Sequence, residues 1–251
     1  MYIHQSVKNP HHPMHVRYPW AETAMGGFEA AVTTKEHGGF PCTFSQAALR
    51  RKTLYYAFIN DVDDADERAR LRTDLSRYLD RCKTVKSAEH LHVLLIFVQP
   101  EDPALSLASY HAQAWALMAD WMTYDPDPWP ATVPKDPHDP YWALCFRSTQ
   151  LFVNVSCPAH VRRRSRNLGR SLVLVTQPRS SFDMVAGPNA RGDELREIIR
   201  ARMDVYDSIP RPPSLGTYHR GDLEWPQYAL EDTIEDDAQQ VTRRCPLHHA
   251  P

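Results

Sequence analysis

The chain has 251 residues, 42% of them hydrophobic and 24% charged, which excludes a largely disordered or fibrous protein and is enough to bury one large core. A formal net charge of −2 gives no global attraction for polyanions, so nucleic acid is not an expected partner. The longest apolar run, residues 93–98, falls far short of the roughly 20 residues that span a bilayer, and the opening MYIHQSVKNPHHP has no apolar leader core; a cytoplasmic protein with no membrane partner is expected.

Residues 1–18 read as a flexible segment, 19–235 as one domain and 236–251 as a mobile tail. Pro19 suits the first turn of a helix running through WAETAMGGFEAAV, with Trp20, Ala24, Phe28 and Ala31 on one face. Gly38 and Gly39 end that region. TFSQAALRR then reads as a short helix capped by Thr43 or Ser45, which puts Cys42 at a loop-to-helix junction, and LYYAFIN reads as a strand. Residues 65–80 carry Leu71, Leu75, Tyr78 and Leu79 at helical spacing and lead to a buried strand over 91–98. A further helix is predicted over 104–123, with Ala108, His111, Trp115, Met118 and Met122 along one stripe. The proline-rich stretch 125–140 can continue neither helix nor sheet. YWALCF and LFVNVSC read as an antiparallel hairpin turning at 147–150, and SLVLVTQ adds a third strand after an arginine-rich excursion. Residues 193–207 form a helix with Leu195, Ile198, Ile199, Arg202, Val205 and Tyr206 in phase. This order of elements predicts an α+β fold: a single domain with a mainly antiparallel central sheet and helices packed on it.

The excursion FVNVSCPAHVRRRSRNLG places His160 before Arg162, Arg163, Arg164, Arg166 and Asn167. A neutral imidazole can ligate iron or zinc, and guanidinium groups pair with carboxylates, so one segment could hold a metal and neutralise an anionic cofactor. The plainer reading makes His160 a hydrogen-bonded turn residue and the arginines a solvated face. Cys42, at a helix start that favours the thiolate, could be a nucleophile, a redox thiol or a metal ligand, or simply a buried structural cysteine. The five cysteines, Cys42, Cys82, Cys145, Cys157 and Cys245, lack the spacing of a disulfide framework and fit a reducing compartment. Cys157 with His160 supplies only part of a zinc site. Glu224, Asp222, Trp225 and Tyr228 could line a pocket for a cationic substrate through ion pairing and ring faces. Neither a phosphate-cradling glycine loop nor a GxSxG elbow occurs.

The blocks FPCTFSQAALRRKTLYYAF, DPYWALCFRSTQLFVNVSCPAHVRRRSRNLG, LVTQPRSSFD and IRARMDVYDSIPRPPSLGTYHRGDLEWPQYALED follow one another in an order that resembles the YqcI/YcgG family over most of the chain. The resemblance implies a relation to haem-dependent N-oxygenases of specialised metabolism, of the guanitoxin and D-cycloserine type. It implies haem b, with His160 as first choice of axial ligand and Cys42 as rival, and with Arg162, Arg163, Arg164, Arg166 and Asn167 against the haem carboxylates. An arginine-like substrate would be N-hydroxylated with O₂ and an external electron donor, or with peroxide. Glu224, with Asp222 in reserve, would face its guanidinium. A non-catalytic haem-binding or haem-sensing protein is the alternative. Pairing through an exposed strand or helix could give a homodimer.

Overall fold

The computed structural model describes residues 2–6, 11–85, 87, 91–240 and 243–248. One sheet is built from β1 (Tyr2–His4), β2 (Leu54–Ile59), β3 (Val93–Val98), β4 (Cys145–Phe146), β5 (Thr149–Ser156) and β6 (Val173–Pro178), in the spatial order β1-β2-β3-β6-β5-β4. Only β2 and β3 run parallel; the other neighbours are antiparallel. A parallel pair needs a long crossover, and α4 (Ala65–Cys82) supplies it between these two strands. The fold is therefore a single α+β domain with a mostly antiparallel sheet, as the sequence predicts.

The other helices are α1 (Met14–Arg17), α2 (Ala21–Thr33), α3 (Thr43–Arg51), α5 (Leu107–Thr123), α6 (Arg179–Ala186), α7 (Ala190–Tyr206) and α8 (Ile234–Gln240). Among the described residues no helix is long and apolar enough to cross a membrane. Sheet periodicity sorts the core into two layers. Tyr55, Ala57 and Ile59 of β2, with Leu94, Ile96 and Val98 of β3, pack on Leu71, Leu75 and Tyr78 of α4 and on Ala114, Leu117 and Trp121 of α5. Tyr56 and Phe58, with Leu95 and Phe97, face the opposite way, onto Ala24, Phe28 and Val32 of α2 and Ala48 of α3.

The β4–β5 hairpin is tighter than expected. Its loop is Arg147 and Ser148 alone, both left-handed at φ 49° and 54°, the backbone a type I′ turn demands, though neither residue is glycine. Compensation comes from Asp125, whose two carboxylate oxygens each accept the Arg147 amide at 3.0 Å, and from Asp80, which takes its guanidinium at 3.1 Å.

The two ends, expected to be flexible, take part in the fold where they are described. β1 pairs along β2, Tyr2 stacks on Tyr55 with ring centroids 4.9 Å apart, and Cys245 and Leu247 are buried on the α4/α5 side of the sheet. Apolar side chains at both ends cover sheet and helix surface that would otherwise meet water.

α6 packs on β5 and β6, and the turn that leads from it into α7 closes on Gly192. A Cβ there would stand 2.0 Å from the Gly187 carbonyl oxygen, a contact against backbone that no side-chain motion can relieve. Gly192→Ala should therefore lower stability by about 1–3 kcal/mol, measured by urea unfolding, and an unchanged midpoint would show that the corner is not this tight.

Candidate functional site

On β5 and β6 the strand alternation separates two environments. Leu151, Val153 and Val155 join the α4/α5 layer, whereas Phe152, Asn154 and Ser156, with Val175 and Gln177 of β6, form the floor of a cavity of about 230 Å³. Phe28 of α2, Phe40 and Pro41 of the following loop, Phe44 and Ala48 of α3, and Ile199 and Met203 of α7 form its apolar walls. Polar groups on the lining include Cys42, Arg166, Arg179, Arg196, Arg200 and Glu224. The cavity thus carries four guanidinium groups against one carboxylate.

Cys42 is brought to this cavity because it is the N-cap of α3. Its sulfur accepts the Ser45 amide at 3.4 Å, taking the place of a serine or aspartate oxygen.

His160 is placed elsewhere. It is fully buried, packs beside His111 of α5 with ring centroids 5.8 Å apart, and does not line the cavity. Its Nε2 lies 2.8 Å from the Leu230 carbonyl oxygen, which can only accept, so Nε2 carries the proton. Nδ1 then accepts the Cys157 thiol at 3.3 Å. Burial pushes the imidazole down to about 4, so it stays neutral, with both nitrogens engaged inside the protein. Ligation of a metal in the cavity by His160 does not fit this arrangement.

The arginine cluster is largely a staple for the excursion rather than a solvated face. Asp232 accepts the amides of Val161, Arg162 and Arg163, the last at 2.7 Å, and Asp207 accepts the amide and hydroxyl of Ser165 at 2.7 and 2.8 Å. Arg163, fully buried, donates to Glu231 O at 2.8 Å, and Arg164 donates to Tyr206 O at 3.2 Å. Asn167 ties the loop to Pro158 O and His160 O. Of the five residues expected against an anionic cofactor, Arg162, Arg163, Arg164 and Asn167 stay away from the cavity, because their donors hold backbone or, for Arg162, because the side chain is exposed. Arg166 alone reaches it. Its Nη2 donates to Gln227 O at 3.3 Å, its Nη1 is buried with no partner, and burial together with the neighbouring Arg163 pulls it down to about 9.

Glu224 does line the cavity, but it already faces a guanidinium. Arg179 Nη1 stands 2.8 Å from one carboxylate oxygen and the Tyr228 hydroxyl 2.8 Å from the other. Burial pushes this carboxyl up to about 7, against the pull of Arg179 and Tyr228. The Tyr228 hydroxyl also lies 3.1 Å from Leu151 O, so a protonated Glu224 can donate to Tyr228 while Tyr228 turns its own proton to Leu151. Trp225 and Tyr228 sit in the α4/α5 core and Asp222 accepts the Thr217 amide at 2.8 Å; none of the three lines the cavity. Asp222 instead shapes the loop at Gly216, where a Cβ would meet its own Cβ at 2.3 Å.

Sequence reading missed Phe182 of α6 and Arg196 and Arg200 of α7, and gave Arg179 and Tyr218 no role beyond turn chemistry. The signal for α7 was present: Arg196, Ile199, Arg200 and Met203 are spaced i, i+3, i+4, i+7, one helical face. The expected phase followed hydrophobicity, yet Ile198 and Val205 are exposed, because the inward face of this helix is a mixed cavity wall of Arg196, Ile199, Arg200 and Met203.

The chain belongs to the YqcI/YcgG family, whose model matches residues 28–248. A protein of Streptomyces lavendulae named for N(omega)-hydroxy-L-arginine synthesis, DcsA, is 38% identical over 85% of this chain and 80% of its own. YqcI and YcgG of Bacillus subtilis (strain 168), both uncharacterized, are each 31% identical, over 83% and 84% of this chain and 80% and 81% of their own. No solved structure matches the chain.

Glu224 gives the site a pH signature. With its folded carboxyl near 7 and an ordinary value of 4.5, the proton is bound more tightly in the folded state, so this stabilisation is complete below pH 4.5 and disappears as pH rises to about 7. Unfolding titrations across that window should show a steeper loss of stability in the wild type than in Glu224→Gln; parallel curves would show that the carboxyl is not raised.

Proposed function

We propose that the protein is a haem-dependent oxygenase that hydroxylates a guanidine nitrogen of arginine or an arginine-like compound. One observation carries the reading: the Cys42 sulfur opens onto an apolar cavity rimmed by guanidinium groups, in a chain related along most of its length to a protein named for hydroxyarginine synthesis. The donor set fits haem b. A flat apolar macrocycle suits walls of Phe28, Phe40, Phe44 and Phe152, a thiolate is an established type of axial ligand, and two carboxylates suit Arg166 and Arg196, which have buried N–H groups without partners at Nη1 and Nε respectively. Cys42, rather than His160, is accordingly the ligand we assign.

Haem bound there supplies oxygen-atom transfer, from O₂ with an external electron donor or from peroxide. The protein's own residues do the rest. Cys42, fixed as a helix cap, holds its sulfur in one orientation; the phenyl rings and Met203 keep bulk water from the reacting nitrogen. Glu224, poised near neutral pH and backed by Tyr228, can hold or release a proton at its Oε1 within the cavity wall. Arg179 occupies the carboxylate seat that a substrate guanidinium would otherwise take, so Glu224 serves as a proton-bearing group rather than an open cation site.

Protein produced with haem supply should show a Soret band of a thiolate-ligated iron. Cys42→Ala should lose that ligand signature while His160→Ala, if it folds, keeps it; a wild-type protein without Soret absorption would sink the reading. Incubation with arginine, O₂ and reductant, or with peroxide, should give a product heavier by one oxygen atom. A haem-loaded protein that leaves arginine, its homologues and simple guanidines unchanged would instead be a non-catalytic haem binder.

A further inference from the structure

Arg179 and Asp183 lie one turn apart on the same face of α6, a spacing at which opposite charges usually pair. They form no ion pair. Arg179 is turned away: its Nη1 is on Glu224 at 2.8 Å and its guanidinium lies flat over the Tyr218 ring, Cζ 3.5 Å from the centroid. Arg179 is 4% exposed, and its Nη2 is buried with no hydrogen-bond partner. Asp183, half-buried, has only the Tyr218 hydroxyl, 3.5 Å from each carboxylate oxygen, and among the described residues no cation within ion-pair distance. Its carboxyl is raised by burial, which outweighs the pull of Arg179, Tyr218, Arg196 and His219 nearby.

Both residues line a second depression, of about 350 Å³, with Tyr218, Tyr141, Gln150, Thr132 and Pro134. Arg179 and Tyr218 also line the main cavity, so the two spaces share a wall. The depression therefore offers a guanidinium nitrogen without a hydrogen-bond partner and a carboxylate without an ion pair, on residues whose Cβ atoms stand about 6 Å apart along one helix face, beside two tyrosine rings. A simple anion would be opposed there by Asp183 and a simple cation by Arg179. A zwitterion with both charges on one carbon meets both at once.

We propose that this depression is the seat of an α-amino-acid headgroup: the substrate carboxylate accepts from Arg179 Nη2, the ammonium faces Asp183, and the side chain passes Tyr218 into the main cavity. The fate of that side chain rests on the oxygenase reading; the binding of the headgroup does not.

The test is calorimetric titration of the haem-loaded full-length chain, without O₂, reductant or peroxide, using L-arginine, Nα-acetyl-L-arginine and agmatine. L-Arginine should bind at least about tenfold more tightly than either analogue, which lack the ammonium and the carboxylate respectively. Asp183→Asn, checked for an unchanged thermal midpoint, should weaken L-arginine by about tenfold or more and leave Nα-acetyl-L-arginine unaffected, while Asp183→Glu should recover part of the loss. Equal affinities for arginine and Nα-acetyl-arginine, or an Asp183→Asn variant that binds arginine as the wild type does, would overturn the proposal; the second result is the one expected if Arg179 serves a cofactor carboxylate instead. Product analysis on the same preparations separates the two readings. Hydroxyarginine formed by a protein indifferent to Asp183→Asn removes the headgroup seat alone. Arginine binding that depends on Asp183, with no product formed, upholds the seat and removes the oxygenase.

Discussion

The two-residue period of β5 and β6 is the constraint from which the site follows. Leu151, Val153 and Val155 must face α4 and α5 to complete the larger core layer, and this leaves Phe152, Asn154 and Ser156 on the other side. On β2 and β3 that other side is covered by α2 and α3. Over β5 and β6 stand α6, α7 and the loops around them, which place Arg179, Arg196 and Arg200 among apolar residues such as Phe182, Ile199 and Met203. A packed layer on one half of the sheet and a cavity on the other therefore arise from the same alternation, set by what each helix brings to it.

Burying guanidinium groups without enough carboxylates is the electrostatic cost of this arrangement. The protein offsets it with backbone carbonyls: Gln227 for Arg166, Leu215 and Gly216 for Arg200, Ala186 and Gly187 for Arg196. Among the described residues that line the cavity, Arg166 Nη1, Arg179 Nη2 and Arg196 Nε stay buried without a partner. Donors left open in a low-dielectric space favour carboxylate-bearing ligands far more than the same donors would in water. The chain's formal charge of −2 conceals this local excess of positive charge.

Much of the fold was legible in the sequence. The 3.6-residue spacing of Leu71, Leu75, Tyr78 and Leu79 predicted α4, and the β-rich runs predicted β2, β3, β5 and β6; the start of α3 was placed correctly, but its cap is Cys42 itself rather than Thr43 or Ser45. Reading was weaker where local chemistry was outvoted. α6 follows Pro178 directly and has no counterpart among the predicted elements; its eight residues are too few for a clear periodic signal. α7 was given the phase of its hydrophobic residues, although its cavity face is arginine-rich. His160 and the arginines after it looked like a ligand set because they are adjacent in sequence. In space, the carbonyl oxygens of Leu230, Glu231, Tyr206 and Gln227, about 40 to 70 residues further on, take side-chain donors of His160, Arg163, Arg164 and Arg166 respectively.

The sequence by itself determined the α+β class, the positions of the main helices and strands, and the placement of Cys42 at a helix start, because these depend on periodicity and capping within short windows. Only the tertiary structure decided that Cys42 and Arg166 share a cavity while His160 does not, that Glu224 is already met by Arg179, and that Arg179 and Asp183 stand side by side unpaired. Each of these depends on which face of a strand or helix a side chain occupies and on which distant backbone group claims its hydrogen bond. Neither is settled by neighbours along the chain.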